Sequence, residues 1–421
     1  VGSRVSQWNY DVNYTYKTLV SWLAFLRRLP GPALVSFFLF FAAAFADGVL
    51  VPFFALWAHD EGGISTARIG LLFGCYAGGE LLATPLVGGI ADRLGRRPVL
   101  LASTAGVGAG FLLLYLSRGA IESAASLLFI GVFESVLHPT AATVISDVAP
   151  PGEVRTYFSL SRVASSAGHV AGPAIGALLV RGSIGLVFVG SAASLLTASL
   201  IVALFLSETG EKGSVGEEDD DDSVMALGAV FRDTRLASLL IPILLLQVCG
   251  SWIESVLPLF ANHAGSLSPS GVGLLFTYAG ILGVCFQLPI VRATAGSSGF
   301  ALVTASGLAL ATAFGFLSLS AGLPFLVAAI SLLAFSEMLS GPLIQSLVNE
   351  LAPRSARATY QAALSVVNDV RDTAGPAVGT WLYATAAALP WLTGMPVALA
   401  ATVVLAWVVR RHETAALVTD A

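Results

Sequence analysis

Apolar stretches of about 20 residues, the length a helix needs to cross a bilayer, follow one another along nearly the whole chain. They cover approximately 32–58, 66–91, 97–117, 124–147, 157–180, 183–206, 236–261, 271–291, 299–318, 322–348, 358–385 and 390–409, numbered here as spans 1 to 12. Backbone N–H and C=O groups in lipid must be satisfied within their own segment, so stretches of this kind fold as helices. Composition points the same way. Hydrophobic residues make up 56% and charged residues 11%, with mean hydropathy +0.83, against about 25% charged in soluble domains. The expected fold class is an all-α membrane protein with twelve transmembrane helices and the lipid bilayer as its solvent. Cys75, Cys249 and Cys285 each sit inside an apolar run, which reads as reduced core residues. The first 31 residues are polar and aromatic, without the short apolar core of a cleavable signal.

The chain repeats itself. Gly70-Leu-Leu-Phe73 recurs as Gly273-Leu-Leu-Phe276, an offset of 203. The same offset carries Glu134 onto Glu337, Pro139 onto Pro342, Pro150 onto Pro353, and Thr156-Tyr157 onto Thr359-Tyr360. It also carries Gly172-Pro173-Ala-Ile-Gly176 onto Gly375-Pro376-Ala-Val-Gly379. One register held over a hundred residues implies two six-helix units of the same orientation, related by an axis along the membrane normal, with a cavity between them.

Boundaries follow: a leader at 1–31, a first half at 32–206, an acidic linker at 207–235 holding Glu217 to Asp222, a second half at 236–410, and a tail at 411–421. Within the leader, Leu19, Trp22, Leu23 and Leu26 fall at helical spacing beside Lys17, Arg27 and Arg28. This segment reads either as a helix in the membrane interface or as a frayed leader. Arg93, Arg96, Arg97, Arg155, Lys212, Arg232, Arg235, Arg292, Arg354 and Arg357 fall in loops on the side of the termini. The positive-inside bias therefore places both termini in the cytoplasm, in a plasma membrane.

The loop after span 2 reads Gly88-Gly-Ile-Ala-Asp92-Arg93-Leu-Gly95-Arg96-Arg97. Gly95 permits a tight turn and Gly88 a close helix approach. Asp92 suits the positive end of a helix. Together with the six-plus-six repeat, this loop resembles the signature of the major facilitator superfamily, over about residues 32–410. The resemblance implies that Asp92 faces span 11 and that Asp92, Arg96 and Asp147 form a charge cluster locking the cytoplasmic side. Span 5 carries Gly168, Gly172, Pro173 and Gly176, similar to the family's antiporter motif, with Ala177 where a final glycine is expected. Span 11 repeats the pattern in Gly375, Pro376 and Gly379, so plain helix packing is the alternative reading of both. Leu127 stands where the family's span 4 arginine is expected, so coupling through that arginine does not transfer.

Charges inside spans need a reason, since each costs about 2.5–3.5 kcal/mol at the bilayer centre. Asp47 lies in span 1, Glu134 in span 4, Glu254 in span 7 and Glu337 in span 10. The resemblance makes these the cavity-lining helices. One carboxylate on each suits proton carriage or a cation site; static polar contacts are the other reading. His138 shares a helix face with Glu134. Arg162, Ser166 and His169 line one face of span 5, and the offset carries them onto Ser365, Asp369 and Asp372, with Arg371 beside them. Glu80 in span 2 is placed to pair with Arg371 if span 2 packs on span 11, as the resemblance implies. His59, His263 and His412 look isolated near helix ends.

No Walker loop, zinc-ligand spacing or nucleophile elbow is present. Neither an enzyme, a metal nor a cofactor is expected, and nucleic acid is not expected as a partner. The expected function is secondary active transport by alternating access, with proton-driven efflux of a small organic neutral or cationic compound by a monomer. Proton or sodium symport for uptake is the alternative, and a non-transporting receptor or scaffold the more distant one.

Overall fold

Lipid leaves a backbone no partner but itself, and the chain answers with helices joined by short turns. The computed structural model describes residues 29–150, 153–208, 233–353 and 357–419, without the side chains of 84–93, 155, 357, 358, 412 and 414–419. Among the described residues are α1 (Gly31–Asp60), α2 (Thr66–Leu94), α3 (Arg96–Leu116), α4 (Ala120–Val148), α5 (Val154–Leu179) and α6 (Leu186–Phe205). There follow α7 (Thr234–Leu259), a π-helical turn (Phe260–Ala264), α8 (Pro269–Ala293), α9 (Gly299–Leu319), α10 (Leu323–Leu351), α11 (Arg357–Thr385) and α12 (Leu389–Thr419). The expectations at 1–28 and in most of the acidic linker lie outside the described residues, as do the side chains of Gly88, Asp92 and Arg93.

Nine of these helices are long and apolar enough to cross a membrane. The others are α2, part of whose side chains is not described, and α5 and α11, which carry Arg162 and His169, and Asp369, Arg371 and Asp372. Starts are set by local chemistry. The Asp233 carboxylate accepts from Arg235 N–H at 2.9 Å, and the Ser268 and Ser298 hydroxyls accept from Gly271 and Ala301 N–H at 3.2 Å each, each filling an orphan donor of a first turn. The last helix runs on to Thr419, through most of the expected tail.

Neighbour relations in the first six helices recur in the last six. α1 packs on α5 and α6, α2 on α4, and α3 on α4 and α6; likewise α7 packs on α11 and α12, α8 on α10, and α9 on α10 and α12. Between the two sets, α2 meets α11 and α8 meets α5, with α1 beside α7. The apolar core runs through both sets, with Phe53, Phe54, Phe111, Phe188, Phe314 and Trp391 fully buried. Leucines such as Leu200 and Leu204 stay exposed on α6, as expected where lipid is the solvent.

The two sets are tied at the end that carries the α1–α2 and α7–α8 connections. Gly70 N–H donates to Thr380 Oγ1 at 3.1 Å, and Ser270 Oγ donates to the Ala177 carbonyl at 2.6 Å. A side chain at Gly70 would collide with the backbone of Pro376 and Ala377, and one at Gly273 would reach 2.9 Å from the Pro173 carbonyl and 3.0 Å from Ala177 Cβ. The repeated Gly-Leu-Leu-Phe and Gly-Pro motifs thus meet crosswise, the first copy of one against the second copy of the other.

Candidate functional site

Asp47 lies mid-helix on α1, where Gly48 lets α5 cross closely: a Cβ at Gly48 would sit 3.1 Å from the His169 carbonyl. The Tyr76 hydroxyl of α2 donates to Asp47 Oδ1 at 3.4 Å. From α4, Glu134 and His138 bring their ligand atoms within 4.8 Å of one another and of Asp47. The four-residue spacing read from the sequence therefore converges on a carboxylate from another helix. Glu134 is 2% exposed, and its Oε2 has no hydrogen-bond partner among the described residues. A buried, unmatched carboxylate oxygen is costly. It is relieved by a proton or a cation. His138 packs its ring 5.5 Å from that of Phe40, which fixes the imidazole beside the two acids.

Asp47 also forms part of the wall of a cavity of about 350 Å³ between the two sets, together with His169, Glu254, Phe276, Gln287 and Glu337. Glu254 and Glu337 are shared with a second cavity of about 410 Å³ lined by helices of the later set, including Gln247, Asn368 and Arg371. Gln247 Oε1 is buried there without a hydrogen-bond partner among the described residues. The four carboxylates thus differ in setting. Asp47, Glu254 and Glu337 face cavities, whereas Glu134 lies behind Asp47 in the packed interior.

Arg371 Nε donates to Asp372 Oδ1 at 2.7 Å and lies beside Glu254 and Glu337. Glu80, across on α2, has Asp47, Asp369 and Asp372 as its nearby acids. Arg162 is exposed, and Ser166 Oγ donates to its carbonyl at 2.9 Å. Leu127, at the position where an arginine was looked for, is fully buried.

On α5, a side chain at Gly168 would collide with the Phe41 carbonyl of α1, and one at Gly172 would lie 2.5 Å from that of Phe45. Gly176 abuts the Phe53 ring. In the later set, Gly375 abuts Ser251 and Gly379 abuts Trp252 on α7, while Pro376 receives Gly70. These glycines seat α5 on α1 and α11 on α7.

At the opposite end, Gly95 adopts φ +93°, a conformation glycine supplies without strain. The turn lets Arg96 Nε reach Asp147 Oδ2 at 3.0 Å and Arg97 Nη2 donate to the Ala203 carbonyl at 2.7 Å. Sequence reasoning missed Glu208, whose carboxylate accepts from Arg96 N–H at 2.7 Å and Arg97 N–H at 3.4 Å. Glu413 does the same for Gly299 N–H at 2.6 Å and Phe300 N–H at 3.4 Å. Each acid caps the first turn of a helix three helices earlier in its set. Their spacing of 205 against the repeat of 203 was the available signal. Glu208→Ala and Glu413→Ala are each expected to cost about 1 kcal/mol, the usual loss of a helix cap, and to lower the thermal midpoint of the detergent-solubilised protein. Unchanged midpoints would make both contacts decorative.

The isolated reading of His59 and His263 is corrected: their rings lie 4.9 Å apart, joined by Asp60. Asp60 and His263, 203 apart in sequence, are brought together by the crosswise packing of the two sets.

Residues 36–371 match the family model described as Major Facilitator Superfamily. The class D tetracycline resistance protein of Salmonella ordonez is 26% identical over 376 residues, 86% of this chain and 93% of that protein. The multidrug resistance protein MdtH of Aeromonas salmonicida is 23% identical over 352 residues, 82% of this chain and 86% of that protein. The solved structure of the nucleoside transporter NupG matches with a TM-score of 0.75 at 15% identity, over 90% of this chain and 99% of that one. Identity so low speaks for the fold alone.

Proposed function

We propose that this chain, which belongs to the Major Facilitator Superfamily, is a proton-driven exporter of a small, partly apolar organic compound, neutral or cationic. It spans the membrane twelve times as two six-helix halves, with both termini in the cytoplasm. The halves rock about the cavity that separates them, exposing it to each side in turn. With that orientation, the tied end faces outward.

The observation that carries the reading is the wall of the interset cavity. Asp47, Glu254 and Glu337 face it, and Glu134 stands one step behind Asp47 with an oxygen that has no hydrogen-bond partner among the described residues. An acid-lined cavity with aromatic and amide groups receives a neutral or cationic amphiphile better than an anion. Its carboxylates can take up a proton from one side of the membrane and pass it to the other as the cavity opens to each in turn. Alternating access then converts a proton gradient into substrate movement. The resistance proteins among the relatives support export as the direction. Arg96 with Asp147 serves as part of the lock on the terminal side.

The test is transport into proteoliposomes carrying an imposed pH gradient, with a pH dye in the lumen and a panel of amphiphilic drugs. An antiporter lets protons leave an acidic lumen as the compound enters. Protons moving in the same direction as the compound would establish symport instead. Compound movement indifferent to the gradient would remove proton coupling altogether.

A further inference from the structure

We infer that His59, Asp60 and His263 form a site for a divalent transition-metal ion, zinc being the best fit, and that the bound ion clips the outer end shut. The second part rests on the alternating-access reading above; the first does not.

All three ligand atoms lie within 4.8 Å of one another. His263 Nε2 is 3.1 Å from Asp60 Oδ1, and the two imidazole rings are 4.9 Å apart. Two imidazoles and one carboxylate are a donor set that zinc accepts, with a fourth position left for water. Side-chain exposure of 32% at both His263 and Asp60 leaves that position open to solvent. The Thr66 hydroxyl stands 3.4 Å from His59 Nδ1, an outer partner of the kind that orients a ligating imidazole.

The source of the ligands matters as much as their chemistry. His59 and Asp60 end α1, whereas His263 belongs to the π-helical turn after α7. The three meet only when the two sets close at this end. An ion that binds all three therefore binds one conformation and shifts the population towards it. The same acid and histidines without metal would make only a part-exposed ion pair, which contributes little.

Purified full-length protein would be titrated with zinc against a fluorescent chelator. One equivalent is expected to bind, with affinity lowered at least about ten-fold in His59→Ala and in His263→Ala, as expected when one of three ligands is lost. Asp60→Asn keeps the shape and should lose the same factor; metal-free thermal midpoints would check that each variant folds. Equal affinity in wild type and variants overturns the site. The clip is read separately, from spin labels at Arg68→Cys and Leu274→Cys in a background with Cys75, Cys249 and Cys285 changed to Ser. Zinc should collapse the label distances onto the short population in this background and leave His263→Ala unchanged. Zinc that binds through these residues without moving the distances overturns the clip. Neither readout needs the substrate, so a failure here is separate from a failure of the efflux reading.

Discussion

Glu134→Gln is expected to abolish gradient-driven transport while substrate exchange continues. Exchange needs no net proton movement, so it reports binding and rocking alone. A gradient of one pH unit is worth about 1.4 kcal/mol per proton, or about a ten-fold accumulation ratio. That ratio should fall to about one in the variant. Gln preserves shape and one carbonyl oxygen but cannot release a proton. Glu134 is favoured because its Oε2 is buried without a hydrogen-bond partner among the described residues, a cost the fold would shed were the group idle. Asp47→Asn should do the same if the proton rests on the cavity-facing member of the pair, and Glu337→Gln if it rests on the later set. Full gradient-driven accumulation in all three variants defeats the proposal and moves attention to Glu254 and to Asp369, Arg371 and Asp372.

The second large effect is conformational. Gly70→Val should force the tied end apart, because the added carbons meet the backbone of Pro376 and Ala377, which cannot turn away, as well as Thr380 Oγ1. Gly273→Val presses on the Pro173 carbonyl from the other copy of the motif. Overpacking typically costs about 1–3 kcal/mol, which becomes about a 5- to 150-fold shift away from the tied state. Distances between labels at Arg68→Cys and Leu274→Cys should lengthen in both variants, and further in the double variant. A variant that loses thermal stability with unchanged distances would show the glycines serving packing and not conformational balance.

The sequence made the order of helices readable because lipid permits little else. Unbroken apolar runs favour spans, and the expected limits lie within a few residues of the observed helix ends, except that the last helix runs past 409 to Thr419. The span expected at 124–147 begins at Ala120 because its helix starts directly after Gly119. The pairing of Glu134 with His138 was legible from their shared helix face. That both converge on Asp47 was not, since no periodicity links α1 to α4. The capping acids Glu208 and Glu413 and the joining of His59 to His263 escaped notice for the same reason. Each depends on which helices lie side by side, and an apolar stripe names no neighbour. The 203-residue offset held more than was drawn from it. Asp60 and His263 are themselves one repeat apart, as residues close to a symmetry axis would be.

Helix length carries one more consequence. α3, α6 and α9 contain 21, 20 and 21 residues, about 30–32 Å each. Their exposed leucines, such as Leu113, Leu204 and Leu308, look outward. α2, α4, α10 and α11 contain 29 residues each, about 44 Å. A hydrocarbon layer of about 30 Å matches the short outer helices and is overrun by the long inner ones, which must tilt or stand proud of it. The rocking proposed above would change that tilt, so that each conformation would prefer a somewhat different bilayer thickness. Mismatch costs only fractions of a kcal/mol per ångström, but summed around the perimeter it gives acyl-chain length a hold on the balance between the two states. The membrane's own composition becomes a setting of transport rate.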